Sequence, residues 1–169
     1  RVKKNNFSYT KAWTTFIPML IKTVQATDGA ILEFGAGFSS TPLLHWLCWE
    51  KARPLMTYES VPEWYEFARK FQSRNHRIRL VDDWDKIDNK GHWSVVFIDH
   101  LEDRRIIDIL RFKDAADYIV IHDTDDFKHY GFEKAWSEFK YVYHWKGCRP
   151  WTSVVSNTKD LSWLKTSQS

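Results

Sequence analysis

Two glycines at the end of an apolar run are the residues of this sequence that point most directly to ligand chemistry. The run, residues 30–34, is typical of a buried strand, and Gly35 and Gly37 follow it at once. Without a Cβ, the backbone turns sharply there and lets a ligand approach closely. Ser40 or Thr41 is placed to cap a following helix. Strand, glycine turn and helix start in this order predict a cradle for a nucleotide-like ligand.

A carboxylate ends the second apolar run of the chain. Glu59 is the last residue of that run, at positions 55–59, and lies 24 residues beyond Gly35. In dinucleotide-binding folds an acid at about this distance accepts hydrogen bonds from ribose hydroxyls. We therefore expect Glu59 to bind a nucleoside, the alternative being a surface residue at a strand end.

Two aspartates end or follow two later apolar runs, and each has a histidine beside it. Asp99 precedes His100, and Asp123 follows His122. A histidine that titrates near neutrality can take a proton from an acceptor hydroxyl or amine. We name Asp99, His100 and Asp123 as catalytic candidates. The histidines would serve equally well as structural hydrogen-bond partners, and holding two reactants in line can replace a dedicated base.

The elements that must position these residues alternate between strand and helix. Five strand-like segments predict parallel strands with crossover helices, at residues 30–34, 55–59, 77–81, 93–99 and 118–122. Two further runs, 140–145 and 152–156, are joined by a short loop that favours an antiparallel hairpin. The predicted fold class is α/β: a doubly wound Rossmann-like sheet of five parallel strands plus a C-terminal antiparallel hairpin, seven strands in all, with helices on both faces.

The ends of the chain and the helix after Glu59 carry weaker signals. Residues 9–25 show helical spacing and form the only candidate lid over a site. Ser60 and Glu63 have the spacing of a capping box. Residues 157–169 are expected to form a weakly ordered tail, and residues 1–169 to form a single domain.

Composition limits the class of protein. A chain of 169 residues with 43% hydrophobic and 28% charged residues suits one globular domain. The net charge of +3 is too small to predict a nucleic-acid partner. No apolar run approaches the ~18 residues that cross a bilayer, and no signal peptide is visible, so we expect a cytoplasmic protein without a membrane partner. Two cysteines do not form a disulfide framework.

The motifs together resemble those of class I S-adenosylmethionine-dependent methyltransferases, over residues 14–156. The likeness is carried by Ile31-Leu-Glu-Phe-Gly-Ala-Gly37, by Glu59 and by Val96-Phe-Ile-Asp99. It implies that S-adenosylmethionine binds at the carboxyl ends of the strands. Residues of the glycine motif would contact its methionine part, Glu59 its ribose, and Asp99 the methyl-donating end. The full set of implied cofactor-binding residues is Glu33, Gly35, Ala36, Gly37, Ser39, Ser40, Glu59, Ser60, Asp83, Trp84 and Asp99, with Asp83 and Trp84 flanking the adenine.

A closer likeness is to metal-dependent small-molecule O-methyltransferases, which have two aspartates and an asparagine at this edge. Asp99 and Asp123 match the aspartates, but Thr124 stands where the asparagine is expected, and no lysine base follows Asp99. One alternative is that Asp99 and Asp123 bind Mg²⁺ through oxygen ligands. The other is that Asp123 caps the next helix and Asp99 meets cofactor or substrate without a metal.

The resemblance implies transfer of a methyl group from S-adenosylmethionine to a small-molecule acceptor, at oxygen. A non-catalytic methyltransferase-like module that binds a cofactor or partner is an alternative. A nicotinamide-dependent dehydrogenase is a further alternative. It predicts a glycine where Ser40 stands and a parallel sixth strand where the hairpin is expected.

Overall fold

The computed structural model describes residues 11–125 and 131–167. Seven strands form one sheet: β1 Ile31–Phe34, β2 Leu55–Glu59, β3 His76–Leu80, β4 Trp93–Ile98, β5 Ala116–Ile121, β6 Tyr141–Trp145 and β7 Thr152–Ser156. Their spatial order is β3-β2-β1-β4-β5-β7-β6. The first five strands are parallel, whereas β7 pairs antiparallel with both β5 and β6. This arrangement confirms the predicted fold class, with strand ends that lie within two residues of the predicted ones.

In the described part of the chain, five α-helices connect or flank the strands: α1 Ile17–Gln25, α2 Ser40–Glu50, α3 Pro62–Ala68, α4 Arg105–Arg111 and α5 Glu133–Trp136. Short 3-10 helices include Lys11–Thr14, Trp84–Lys86 and Ser162–Ser167. Within the two described ranges, no helix is both long enough and apolar enough to cross a membrane.

The core lies on both faces of the sheet, because strands covered on both sides bury every residue. The four residues of β1 are all buried. On one face Ile31 packs with Leu20 of α1 and Leu44 of α2. On the other face Leu32 packs with residues that include Ile109 of α4.

Both chain ends contribute residues to the core. Helix α1 buries Met19, Leu20, Thr23 and Val24, and a lid role for residues 9–25 stays a prediction. Part of the predicted helix, residues 9 and 10, lies outside the described residues. Near the C-terminus, Leu161 and Leu164 are buried in the same core cluster. Burying these two leucines stabilises their segment against the core, and the weakly ordered tail over residues 157–169 stays a prediction.

Candidate functional site

A cavity of about 500 Å³ opens at the carboxyl ends of β1, β2, β4 and β5. This volume lies within the range of small-molecule sites. It lies where the crossover connections of an open α/β sheet leave room for ligands. Ten of the residues predicted from the sequence line it: Gly35, Ala36, Gly37, Ser39, Ser40, Glu59, Ser60, Asp99, His100 and Asp123.

The turn after β1 requires glycine at its first position. Gly35 has a φ of +88°, and a Cβ built there would lie 2.6 Å from the carbonyl oxygen of Asp99. An L side chain would therefore be strained by both the backbone and the contact. The turn after β1 consequently lies directly against the residue that follows β4, which brings Asp99 to the same cavity.

Glu59 joins the β1 turn to the start of α3. Its carboxylate accepts hydrogen bonds from the amide of Ala36 at 2.7 Å, of Ser60 at 2.6 Å and of Val61 at 2.7 Å. The predicted capping box is thus wrong: Val61 is the N-cap residue of α3, and Glu59 satisfies the amides instead. A carboxylate offers about four lone-pair positions, so roughly one remains for a ligand in the cavity.

Glu33 lies behind the glycine turn rather than in the cavity. Its carboxylate is fully buried and accepts hydrogen bonds from the hydroxyls of Thr41 and Thr57. Thr41 in turn accepts the amide of Gly37 at 3.0 Å. Burial raises the pKa of Glu33 to about 7, against the opposing effect of these hydroxyls. Glu33, which was expected to contact a cofactor, instead supports the glycine turn. Thr41 takes part in that support and is not the N-cap of α2, which is Ser39.

Asp83 and Trp84 also lie outside the cavity lining. The Trp84 indole is buried, with its ring stacked on Phe34 at 5.7 Å between centroids. The Asp83 carboxylate accepts the amide of Asp85 and caps a 3-10 helix. The expectation that this pair flanks an adenine is therefore not supported, because the large apolar indole fills the core beneath the sheet edge.

His100 is a structural residue rather than an accessible base. Its side chain is 1% exposed, and its Nε2 atom lies 2.8 Å from the Asp108 carboxylate. The ring packs against Phe34 and Trp84. Burial lowers the pKa of His100, although Asp108 acts in the opposite direction. Because the imidazole is 1% exposed and packs in the core, this geometry does not favour the predicted catalytic role of His100.

His122, which was not named among the catalytic candidates, lies between the two aspartates. Its Nδ1 atom is 3.2 Å from Asp99 Oδ1 and its Nε2 atom is 2.9 Å from Thr15 Oγ1. Burial opposes its protonation, but the neighbouring Asp99 and Asp123 outweigh this and raise the pKa of His122. Asp123 has a φ of +57° and a pKa that burial raises. The site therefore holds two carboxylates and an imidazole in contact.

Asp99, His122 and Asp123 offer the types of ligand that bind metal ions. Ligand atoms of Asp99, His122 and Asp123 lie within 4.8 Å of one another, which suits one cation. However, Arg105 Nη2 donates to Asp99 Oδ1 at 3.1 Å, and Nη1 donates to Asp123 Oδ2 at 3.3 Å. Thr124, at the asparagine position, accepts a hydrogen bond from Ser153 instead. The residues present therefore do not fit Mg²⁺, because a guanidinium already bridges the carboxylates.

Aromatic residues form a rim that the sequence did not identify. Trp13 and Phe16 precede or begin α1, Phe38 follows the glycine turn, and Trp64 lies in α3; all four line the cavity. The Trp13 and Trp64 rings meet edge to face at 6.3 Å, and Phe38 lies 4.7 Å from Trp64. Trp13, Phe16 and Trp64 have a helical spacing that is typical of core positions, and no local signal separates a rim aromatic from a core one. Further residues that line the cavity without having been proposed as site residues are Val61, Leu101, Glu102 and Arg105.

Comparison with known proteins identifies the architecture. No family model and no curated protein sequence matches this chain. Solved structures do match. A methyltransferase from Pyrococcus furiosus superposes with a TM-score of 0.62 at 17% identity, over 86% of this chain and 84% of that one. A putative O-methyltransferase from Klebsiella pneumoniae gives 0.63 at 13% identity, over 91% and 83%. The fold is that of class I S-adenosylmethionine-dependent methyltransferases.

A third structure of this fold contains a cofactor product. The Podospora anserina methyltransferase PaMTH1, bound to S-adenosylhomocysteine (SAH), superposes with a TM-score of 0.64 at 12% identity, over 84% of this chain and 76% of that one. The dehydrogenase alternative is disfavoured by the sheet itself. That alternative predicts a parallel sixth strand, whereas β6 and β7 run antiparallel beside β5.

Proposed function

We propose that this protein transfers a methyl group from S-adenosylmethionine to a hydroxyl oxygen of a small-molecule acceptor. The observation that carries the proposal is a single cavity bordered by the glycine turn, by Glu59 and by the Asp99–Asp123 pair. The turn and Glu59 offer groups for an adenosyl cofactor, and the aspartates offer groups for an acceptor.

The cofactor half of the site is supported by Glu59 and by the turn after β1. The Glu59 carboxylate lines the cavity and is already oriented by three amides, which leaves about one acceptor position for a ribose hydroxyl. Ser39 and Ser40 supply hydroxyls near the start of α2. Val61 and Leu101 provide apolar lining, in place of Trp84, for a flat base.

The acceptor half is supported by the chemistry of Asp123. Its side chain is 29% exposed and lines the cavity, and burial raises its pKa. A carboxylate with a raised pKa is a better base for a hydroxyl proton. Bound S-adenosylmethionine supplies an electrophilic methyl group. Asp123 would take the hydroxyl proton of the acceptor at Oδ1, which would leave the acceptor oxygen free to receive the methyl group.

The aromatic rim supports a small, flat acceptor. Trp13, Phe38 and Trp64 provide apolar walls of the cavity that the aspartates also line, and such walls bind planar rings well. The cavity volume of about 500 Å³ is of small-molecule size. We therefore propose phenol-like acceptors as the first class to test.

Isothermal titration calorimetry with S-adenosylmethionine, SAH and NAD tests the cofactor. We expect the first two to bind and NAD not to bind. Glu59→Gln should weaken S-adenosylmethionine roughly 10–100-fold, the scale for hydrogen bonds to a charged group. The matched control is Glu63→Gln, since Glu63 lies exposed in the first turn of α3. Equal affinities for both variants would contradict the role of Glu59.

Methyl transfer from radiolabelled S-adenosylmethionine to a panel of phenols and aliphatic alcohols tests the reaction. Asp123→Asn should lower kcat while leaving the cofactor affinity within a few-fold of the unmodified protein. Binding of the cofactor without transfer to any acceptor would favour the non-catalytic module instead.

A further inference from the structure

We propose that Arg105 is the built-in cation of this site, occupying the position in which a divalent metal would bridge Asp99 and Asp123. The protein would accordingly bind no Mg²⁺ or Mn²⁺ at these residues. The inference concerns the same cavity as the proposed function, but its main test is metal binding and does not depend on activity.

The sheet places two negative charges side by side. Asp99 follows β4 and Asp123 lies two residues after β5, and Ile98 of β4 is in register with Ile121 of β5. Their side chains are only 24% and 29% exposed. Two partly buried carboxylates at this spacing need a cation or a proton, because unpaired charges are costly away from water.

Arg105 provides that cation from the first residue of α4. Its side chain is 6% exposed, and its two terminal nitrogens donate to Asp99 and to Asp123 respectively. The planar fork of a guanidinium suits this bridging better than the point charge of a lysine. A single buried positive group thus contacts both carboxylates that a metal would need.

Main-chain contacts fix the guanidinium in place. Arg105 Nε donates to the carbonyl of His100 at 2.8 Å, and Nη1 also donates to the carbonyl of His122 at 3.3 Å. These carbonyls belong to the same two loops that carry the aspartates. For the guanidinium to leave, both loops would lose a hydrogen-bond donor, so a metal ion cannot enter without disrupting the loops.

A metal ion and Arg105 also exclude each other by charge. A divalent cation bound to Asp99 and Asp123 would lie next to the guanidinium, and like charges at contact distance repel strongly in a partly buried site. Arg105 is therefore a positioning residue: it holds the two carboxylates in a fixed orientation towards the cavity and keeps metal ions out.

The test measures Mn²⁺ binding by electron paramagnetic resonance and by calorimetry on the intact protein. The unmodified protein should show no specific binding up to about 1 mM Mn²⁺, the weak end of protein sites. Arg105→Ala should gain one Mn²⁺ site, at least about tenfold tighter than any binding by the unmodified protein. Adding Asp99→Asn to Arg105→Ala should abolish the gained site.

Two further variants control for loss of structure. Arg105→Gln retains side-chain donors for the main-chain carbonyls and removes the charge, so it should gain Mn²⁺ even if Arg105→Ala fails to fold. Arg104→Ala is the matched control, since the neighbouring Arg104 pairs with Asp85 and Asp108, away from the aspartate pair. It should leave Mn²⁺ binding unchanged.

Specific Mn²⁺ binding by the unmodified protein that Asp99→Asn removes would overturn the inference. So would a folded Arg105→Gln variant that gains no site. If transfer is detected, addition of a chelator should leave its rate unchanged, and a fall would also count against the inference. Absence of any transfer would refute the proposed function alone, because the metal-binding result stands by itself.

Discussion

Replacing Glu33 by glutamine should change how the stability of the protein depends on pH. Glu33 is completely buried in β1 and faces the hydroxyls of Thr41 and Thr57. Thr57 also hydrogen-bonds with His76, and the charge of Glu59 raises the pKa of Glu33 slightly further. Glutamine has nearly the same shape but cannot ionise, so this variant isolates the cost of the buried negative charge.

The magnitude follows from the pKa. Burial raises the pKa of Glu33 from an ordinary value of 4.5 to about 7, which corresponds to a cost of about 3 kcal/mol for ionisation in the folded state. The folded-state pKa is the higher one, so the unfolded chain releases its proton first as pH rises. The contribution of Glu33 to stability is therefore full below its ordinary pKa and is lost progressively until the pH passes about 7.

Urea unfolding followed by tryptophan fluorescence measures this effect, and ten tryptophans provide the signal. Between about pH 5.5 and about pH 8, the free energy of unfolding of the natural protein should fall by about 2 kcal/mol relative to Glu33→Gln. The exposed Glu50→Gln is the control, and its profile should stay parallel to that of the natural protein. Parallel profiles for Glu33→Gln as well would show that the Glu33 pKa is not raised.

Three further changes test the turn, the core and the imidazole. Gly35→Ala should abolish cofactor binding and lower Tm, because its Cβ would collide with the Asp99 carbonyl. The control Gly91→Ala should do neither, since the nearest atom to its Cβ lies 4.0 Å away. Calorimetry measures the binding and thermal melts measure Tm. Phe112→Ala should cost about 3–5 kcal/mol in urea unfolding and Ile107→Ala, which is 45% exposed, under about 0.5 kcal/mol. In a ¹⁵N-detected NMR titration His122 should remain protonated above its ordinary pKa of 6.5, and loss of its proton below that pH would contradict the paired geometry.

The strands were predictable because their burial leaves a strong local pattern. The run at β4 is apolar except for Ser94, as expected of a central strand covered on both faces, and β7 has the bounds that were predicted. The ends of α1 and of the C-terminal segment were not predictable in the same way. Whether Leu161 and Leu164 pack depends on distant members of their core cluster, which come from α1, α2 and the strands.

The site was predictable where the main chain defines it. A glycine turn after a strand and an acid at the end of the next strand are local patterns, and the residues concerned, Gly35 and Glu59, both line the cavity. Arg105 was missed because it lies in a run of charged residues that reads as a solvated helix face. Its role depends on the carbonyls of two loops, and the sequence contains no signal for such a tertiary contact. The sequence could not distinguish the buried His100 from His122 for the same reason. Each histidine adjoins an aspartate, and only tertiary packing places one in the core and the other between the aspartates.

Charged side chains tie together the loops at this edge of the sheet, and this explains why the site can be formed before a ligand arrives. Glu59 joins the turn after β1 to the start of α3 through amides, and Arg105 joins the loops after β4 and β5 through carbonyls. Each link uses a charge and a fixed geometry, so conservative changes that keep the charge but alter the reach should loosen the loops. Glu59→Asp and Arg105→Lys should therefore weaken ligand binding in the cavity, because the loops around it would lose their fixed orientation. A preorganised site owes part of its affinity to groups that need not move when the ligand binds.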